Sequence, residues 1–389
     1  MRMVYGDDSV RSPQETRVSA FVDEMFGDLG RADQRRWARI YLRGMLTARG
    51  KKTVQEIARS VGAESFVARG LRQFINFSPW DWGGPRRRLA EMLWDAAPGQ
   101  ALTVAVSAIP KRGSQSVGVQ RRFVVAAGRT VNCQLVVSLF LATGRQLVPV
   151  DWELVLGPEW GADRARRARA RIPDSVEARP VWRHVLDVVR RSARFRAGLP
   201  LVADLSELDE VWPLVVALAG RRELVIAVSP GQRIPACRAG RPGDGTSPTV
   251  GELLQAAAAG RARHSVTVPD PDGTPRTVAV QSVALRGGRG ADLWLLGEWS
   301  PESRRFTRYW LTNRADRPGT TLELGRYADR TAGTLAELRR DFGVLDYEGR
   351  SFPGWHHHMT MVSAAYTLQL IDVCSAVLQA AGAVFPGTI

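Results

Sequence analysis

The dipeptide Pro98-Gly99 separates two stretches with different hydrophobic periods, and one type of regular element cannot satisfy both. Before it, apolar residues recur at helical spacing: Phe21, Met25 and Leu29, then Trp37, Ile40, Tyr41 and Leu46. That spacing lines the side chains along one stripe of a helix, so residues 18–97 read as an all-helical head. After it come LTVAVSAI (102–109), RRFVVAAG (121–128) and VNCQLVVSLFLAT (131–143), each short and rich in Val, Leu and aromatics. These predict three consecutive strands.

A helical, Arg-rich stretch is expected to follow to about residue 197. Next come the buried strand LPLVADL (199–205), a helix near 207–219 and a strand at ELVIAVS (223–229). This order fits a mixed α/β sheet. Residues 231–312 hold RAGRPGDGTSP and the alternating runs HSVTV, RTVAVQSVAL and ADLWLLGEW, which read as a β-rich insertion. Helical spacing returns over 321–342, and a last apolar helix over about 358–382 carries Met361, Ala364, Ala365, Leu368 and Ile371 as a core stripe.

Within the head, TVQEIARSVGAESFVARGLRQFI reads as two helices around a turn. Val54, Ile57 and Val61 mark the first helix, Gly62 the break, and Phe66, Leu71 and Phe74 the second. A helix-turn-helix of this kind would present Arg69 and Arg72 to DNA, and an ordinary αα-hairpin gives the same pattern.

The chain carries 54 Lys plus Arg against 39 Asp plus Glu, a formal charge of +15, which suits a polyanionic partner. Its basic residues are nearly all Arg, with Lys only at 51, 52 and 111, a bias that a GC-rich coding sequence also produces. Arg164, Arg166, Arg167, Arg169 and Arg171 form one cluster, and Arg183, Arg190, Arg191, Arg194 and Arg196 a second; a solvated helix face explains both as simply as DNA does. Cys133, Cys237 and Cys374 are too far apart for metal-ligand spacing or a disulfide framework and read as buried fillers. With no apolar run of membrane-spanning length and no apolar segment after the first Arg, a cytoplasmic protein without a membrane partner is expected.

Six motifs occur in order: QFINFSPWDW (73–82), IPKRGSQSVGVQRRF (109–123), VNCQLVVSLFLAT, VPVDWELVLGPEW (148–160), RYWLTN (308–313) and YEGRSFPGWHHH (347–358). Together they resemble the DDE transposases of bacterial insertion sequences across nearly the whole chain. The resemblance implies an RNase H-like mixed sheet interrupted by a β-rich insertion, over residues 98–389, after a helical DNA-binding domain over 1–97. In such enzymes three carboxylates hold two divalent metal ions, which activate the nucleophile and stabilise the leaving oxygen during attack on a DNA phosphodiester.

Hard cations such as Mg²⁺ need oxygen ligands, so apolar residues cannot replace those carboxylates. Where the family has Asp-Asp-Thr-Gly-Phe-Pro-Lys, this chain has Ala105, Val106, Ser107, Ala108, Ile109, Pro110 and Lys111, and no Asp or Glu lies between Ala96 and Asp151. Asp204 in LPLVADLSEL matches the second carboxylate, with a helix N-cap as its plainer reading. Counting back from YEGRS puts Ala332 at the third, with Arg339, Ala328 and Gly325 at the family's Lys, Arg and Tyr. Asp329 lies one turn earlier on the same helix. Asp204 is therefore expected to be vestigial, facing non-acidic Val106 and Ala332, with no metal or other cofactor held and Mg²⁺ required only if catalysis survives.

Lys111, Arg112, Arg121, Arg122, Arg339 and Arg350, in or beside these motifs, join Arg69 and Arg72 as expected contacts to double-stranded DNA. His356, His357 and His358 are adjacent on a helix or turn and point in different directions, so they fit a packing, DNA-proximal tail better than one metal ion, with Trp355 as core or anchor. The resemblance also implies a homodimer acting on paired DNA ends. Three readings remain open: an inactive, transposase-derived DNA-binding regulator; an active or decaying transposase performing metal-dependent strand cleavage and transfer; and a cleft repurposed for a protein or small ligand.

Overall fold

The computed structural model describes residues 12–62, 64–144, 146–193, 198–235, 247–260, 263–269, 274–286, 292–314 and 317–380. The chain divides into two compact units, one of residues 1–92, 169–172 and 337–389, the other of 93–168 and 173–336. The first unit thus contains the tail that follows residue 336 as well as the helical head.

In the first unit, α1 (Pro13–Phe26) opens with Ser12 and Glu15 capping each other reciprocally, which satisfies backbone donors that the first helical turn leaves without partners. It is followed by α2 (Ala32–Thr47), α3 (Val54–Ser60), α4 (Glu64–Asn76) and α5 (Gly83–Ala96), most of which lies in this unit. The core helix is the late α12 (Phe352–Ala380), which starts six residues earlier than its apolar stripe predicts. From Phe352 to Leu368 only Pro353 is less than fully buried, and the helix packs against α2 and α4. Its threonines are tolerated there because they bond within the helix, Thr360 donating to His356 O and Thr367 to Ser363 O, and the rings of His357 and His358 find partners on other segments of the unit.

The second unit is built on a ten-stranded sheet ordered β2-β3-β1-β5-β6-β10-β9-β8-β7, with β4 paired to the outer edge of β3. The strands are β1 (Gly99–Pro110), β2 (Val119–Val124), β3 (Arg129–Thr143), β4 (Gln146–Val155), β5 (Leu201–Asp204), β6 (Leu224–Ala227), β7 (His264–Pro269), β8 (Pro275–Arg286), β9 (Asp292–Ser300) and β10 (Arg305–Thr312). β1, β3 and β4 run antiparallel, while β5 and β6 run parallel to β1. The order β4-β3-β1-β5-β6 is RNase H-like, and β7 to β10 extend the same sheet as an antiparallel meander closing on β6. Helices α6 (Pro158–Ala162), α7 (Arg164–Ala170), α8 (Val181–Ala193) and α9 (Trp212–Leu218) lie between β4 and β6 in the sequence, and α11 (Pro318–Asp341) follows β10.

Several elements differ from the sequence expectation. Residues 146–155 form β4 where a helical stretch was expected; Pro149, which cannot donate to a ladder, sits at a bulge in β4 itself, where Val150 is the extra residue between the partners of Leu139 and Phe140. RRFVVAAG is a strand only to Val124, after which a 3₁₀ turn (125–127) and Gly128 at φ +61° reverse the chain into β3. Helix α10 (Val250–Gly260) was not foreseen, although Thr249 and Glu252 form a reciprocal cap at its start. Of the cysteines, Cys133 is buried; Cys237 and the side chain of Cys374 lie outside the described residues, as do Arg194, Arg196 and most of RAGRPGDGTSP.

Candidate active-site cleft and candidate nucleic-acid interface

Asp204 ends β5, and its neighbour across the parallel ladder is Ala105 of β1. Paired residues share a face and successive residues alternate, so Ala105 lies on the Asp204 side while Val106 faces the other way. Thr103 and Ser107 share the Ala105 face. Helix α11 covers it: Thr331 Oγ1 lies 2.6 Å from Thr103 Oγ1, and Trp310 of β10 packs so closely under Gly325 that an added Cβ would stand 2.8 Å from its ring. The row Ala105, Asp204, Ala227 and Trp310 crosses four adjacent strands. One step beyond it, toward the C-terminal ends of β1 and β5, lie Ser107 and Arg308.

Among the described residues Asp204, Asp329 and Glu298 stand on or beside this row, and all three are engaged; Glu298, buried opposite Arg308 on β9, accepts from Trp310 Nε1 at 2.6 Å. Asp204 is exposed, and its Oδ1 accepts from the backbone N–H of Ser206 at 3.0 Å and from the Ser206 hydroxyl at 2.6 Å. These bonds close a local turn and not the helix N-cap that the sequence suggested, because the helix expected near 207–219 begins only at Trp212, after Val211. Asp329 of α11 receives a two-pronged contact from Arg308, at 2.8 and 3.1 Å, while the Arg308 guanidinium also stacks on Trp310 at 4.5 Å. Ala332 is exposed one turn further along α11. Ser107 Oγ is buried with no hydrogen-bond partner among the described residues. Sequence reasoning placed Arg308 only inside the RYWLTN motif; its pairing with Asp329 has no local signature.

A two-metal centre needs several convergent carboxylate oxygens around each ion. Here Asp204, beside Ala105, already accepts two hydrogen bonds, Asp329 is held by an arginine, Glu298 is buried two strands beyond Ala227 and bonded to Trp310, and the α11 position nearest the family's third carboxylate is Ala332. The donor set does not fit two divalent cations. Among the described residues no group of three or more His, Cys, Asp or Glu could hold a metal ion.

The basic residues singled out in this unit are spread along the sheet. Lys111 follows β1 and donates its N–H to Asn132 O, Arg112 is exposed in the next turn, and Arg121 and Arg122 lie on edge strand β2. Arg121 and Phe123 alternate on the exposed side of that strand, Phe123 at 59% exposure. In the second Arg cluster, Arg191 clamps Asp151 at 2.9 Å and Glu153 at 2.8 Å, tying α8 to β4 rather than facing solvent alone. Arg167 donates to Pro173 O and Val176 O, and Arg166 stacks on Trp160 at 3.8 Å.

In the helical unit, α3 and α4 are joined by a turn in which Gly62 adopts φ +82°, a left-handed conformation that a side chain would strain. Val67, Leu71, Phe74 and Ile75 form the buried stripe of α4. Phe66, expected on that stripe, is instead 69% exposed: starting the helix at Glu64 places it about 100° from Val67, leaning on Trp37 at 6.2 Å. Arg69 and Arg72 are both exposed on α4. Arg72 also lines a cavity of about 270 Å³ with Tyr41, Lys52, Asn76, Asp346, Tyr347, Glu348 and His358, among others. Arg350 is exposed after Glu348, while Arg339 is half-buried in the last turn of α11, its pKa lowered by burial.

All three tail histidines are core residues. His356 stacks on Trp82 at 4.5 Å and lies beside buried Arg86, which donates to His356 O and Thr360 Oγ1. His357 stacks on Trp80 at 3.8 Å, and its two ring nitrogens lie 2.8 Å from Ile75 O and Trp80 O. His358 lies 2.9 Å from the Tyr41 hydroxyl and 2.7 Å from Gly343 O. A neutral His358 that donates from Nε2 and accepts at Nδ1 satisfies both contacts. Burial pushes the Tyr41 phenol upward and the Tyr347 phenol up to about 12, so both remain protonated donors at neutral pH. The Tyr347 hydroxyl donates to Asn76 Oδ1 and Ser351 O, fastening the YEGRS turn to the end of α4. Trp355 is fully buried beside them.

No helix among the described residues is long and apolar enough to cross a membrane. No curated protein matches the chain at a significant level. A family profile described as DDE superfamily endonuclease matches residues 24–291, more than half of the 389 residues, from the helical head through β5 and β6 and into the insertion as far as the end of β8. With that match, the sheet order and the position of Asp204 beside β1, the chain belongs to the DDE superfamily endonucleases.

Proposed function

We propose that this protein is a transposase-derived DNA-binding protein that does not cut or transfer strands. The observation that carries the reading is the ladder pairing of Asp204 with Ala105, together with the capture of Asp329 by Arg308. Without convergent carboxylates the cleft lacks the template, the nucleophile activation and the charge stabilisation that metal ions supply to phosphodiester chemistry. Asp204 keeps a local role at the end of β5 through Ser206.

Double-stranded DNA is the partner that the family membership and the +15 charge support. The α3-turn-α4 pair is the module we assign to it, with Arg69 and Arg72 on the exposed side of α4. Lys111, Arg112, Arg121, Arg122, Arg339 and Arg350 are proposed as further phosphate contacts, and a homodimer as the binding form. A regulator or architectural factor uses this combination of a retained scaffold and a silent cleft.

The test pairs two assays on the purified full chain: mobility shift on duplex DNA across a salt titration, and cleavage of the same DNA with Mg²⁺ or Mn²⁺, each repeated with Asp204→Ala. Binding that weakens with salt, without cleavage, supports the proposal. Metal-dependent cleavage abolished by Asp204→Ala overturns it, and absence of binding removes the DNA half.

A further inference from the structure

The exposed side of α4 has a composition suited to reading base edges, beyond attraction to phosphates. Ser65, Phe66, Arg69, Arg72 and Gln73 are its exposed residues, and at 100° per residue they fall within an arc of about 120° opposite the buried stripe. That arc contains no acid among the described side chains; Asp346 and Glu348 line the cavity that Arg72 borders, and no described carboxylate forms an ion pair with Arg69 or Arg72. On α3, Glu56 is paired with Arg59 at 2.6 Å.

The helix is also braced as a rigid reader should be. Gly70 lets the Trp37 ring of α2 close onto its backbone, to within 2.0 Å of where a Cβ would stand, and Tyr347 fastens Asn76 at the other end. A rigid helix with an acid-free face of Arg, Gln, Ser and an exposed Phe complements the major groove, where Arg is bidentate to guanine, Gln to adenine, and an apolar group meets the thymine methyl.

We propose that α4 recognises a defined duplex sequence by direct readout, Arg69 reading a guanine, Gln73 an adenine and Phe66 a thymine methyl, while Arg72 contacts phosphate. The inference rests on the proposal that the helical unit binds double-stranded DNA. Spacing constrains it further. Four residues of helix rise about 6 Å, so Arg69 and Gln73 address base pairs about two steps apart at about 3.4 Å per step. Phe66 and Arg69, three residues apart, address bases about one step apart.

The experiment is selection from a library of randomised duplexes with the full chain as wild type, Arg69→Ala, Gln73→Ala and Arg72→Ala, followed by binding to the selected site and to an unrelated duplex. All three side chains are exposed, and a melting curve for each variant checks that it folds. Wild type is expected to enrich one motif containing a guanine and an adenine at the stated spacing. Arg69→Ala should lose the guanine preference and weaken binding to the selected site by roughly 10- to 100-fold, with the unrelated duplex unchanged. Gln73→Ala should relax the adenine position alone, and Arg72→Ala should weaken both duplexes alike. Duplex binding without an enriched motif, or an Arg69→Ala protein that selects the wild-type motif, overturns the inference while leaving DNA binding intact. Absence of duplex binding by wild type overturns both.

Discussion

Lowering the pH should destabilise the helical unit through His357. Burial holds the pKa of this ring down to about 4, against an ordinary value of 6.5, while the carbonyls of Ile75 and Trp80 pull the other way. The folded value lies below the unfolded one, so neither state binds a proton at pH 7, and the unfolded chain alone binds one as the pH falls through 6.5. Stability is therefore present in full above the unfolded pKa and is lost progressively toward the folded one. A depression from 6.5 to about 4 corresponds to about 3 kcal/mol at its limit, of which about 2.5 kcal/mol is gone by about pH 4.5. Carboxylates titrate in the same window, so the quantity to measure is a difference. Urea unfolding of wild type and His357→Gln at pH 7 and about 4.5 should show wild type losing about 2–3 kcal/mol more than the variant on acidification. The imidazole resonances of His357 should show no protonation down to about pH 5.

The opposite outcome has a clear physical basis, which makes the test decisive. Each ring nitrogen lies 2.8 Å from a carbonyl oxygen, yet a neutral ring has one N–H to donate. An imidazolium would satisfy both carbonyls and would stack as a cation on Trp80. Were those gains larger than the desolvation penalty and the repulsion from Arg86 and Arg171, the ring would titrate above 6.5 and wild type would gain on the variant as the pH fell. That result would refute the assignment of burial as the dominant effect.

Gly70→Ala should lower stability by about 1–3 kcal/mol despite the helix propensity of Ala, because its Cβ would stand 2.0 Å from the Trp37 ring and α2 and α4 would have to separate; thermal melting reads this. Arg308→Ala should cost less than about 1 kcal/mol by urea unfolding, since Asp329 is 62% exposed and solvent screens the pair. Ala105→Asp combined with Ala332→Glu rebuilds acids around Asp204 and should make the melting temperature rise with Mn²⁺, where wild type shows no rise; a folded double variant indifferent to Mn²⁺ would refute the placement of these positions.

The change of period at Pro98-Gly99 revealed the helices before it and the strands β1 and β3 after it, because alternation and 3.6-residue spacing are local properties. Strand β4 was hidden by its own composition. Pro149, Asp151 and Glu153 interrupt its apolar alternation, and they are accommodated by a bulge at Val150 within β4 and a clamp from Arg191 that only the folded sheet supplies. Phe66 reads as core by its chemistry and is exposed by its phase on α4, which the turn at Gly62 sets. The position of Asp204 was legible from its motif, whereas its pairing with Ala105 and the pairing of Arg308 with Asp329 join segments distant in sequence.

On the proposed reading, the location of these positions also explains how a nuclease scaffold persists with an altered site. Asp204, Asp329 and Ala332 are exposed, and Ala105 is half-exposed, all toward one edge of the sheet. The β1–β5 contact is instead carried by Leu102, Val104, Leu201, Val202 and Ala203, which are buried. Burial of apolar side chains supplies most folding energy, and exposed carboxylates contribute little beyond repelling one another when no cation lies between them. Replacing them therefore leaves the core intact and removes a like-charge penalty, while abolishing the geometry that two cations require. An intact sheet is no evidence of catalysis in this chain, because the residues that build the sheet and those that would hold metal are different residues.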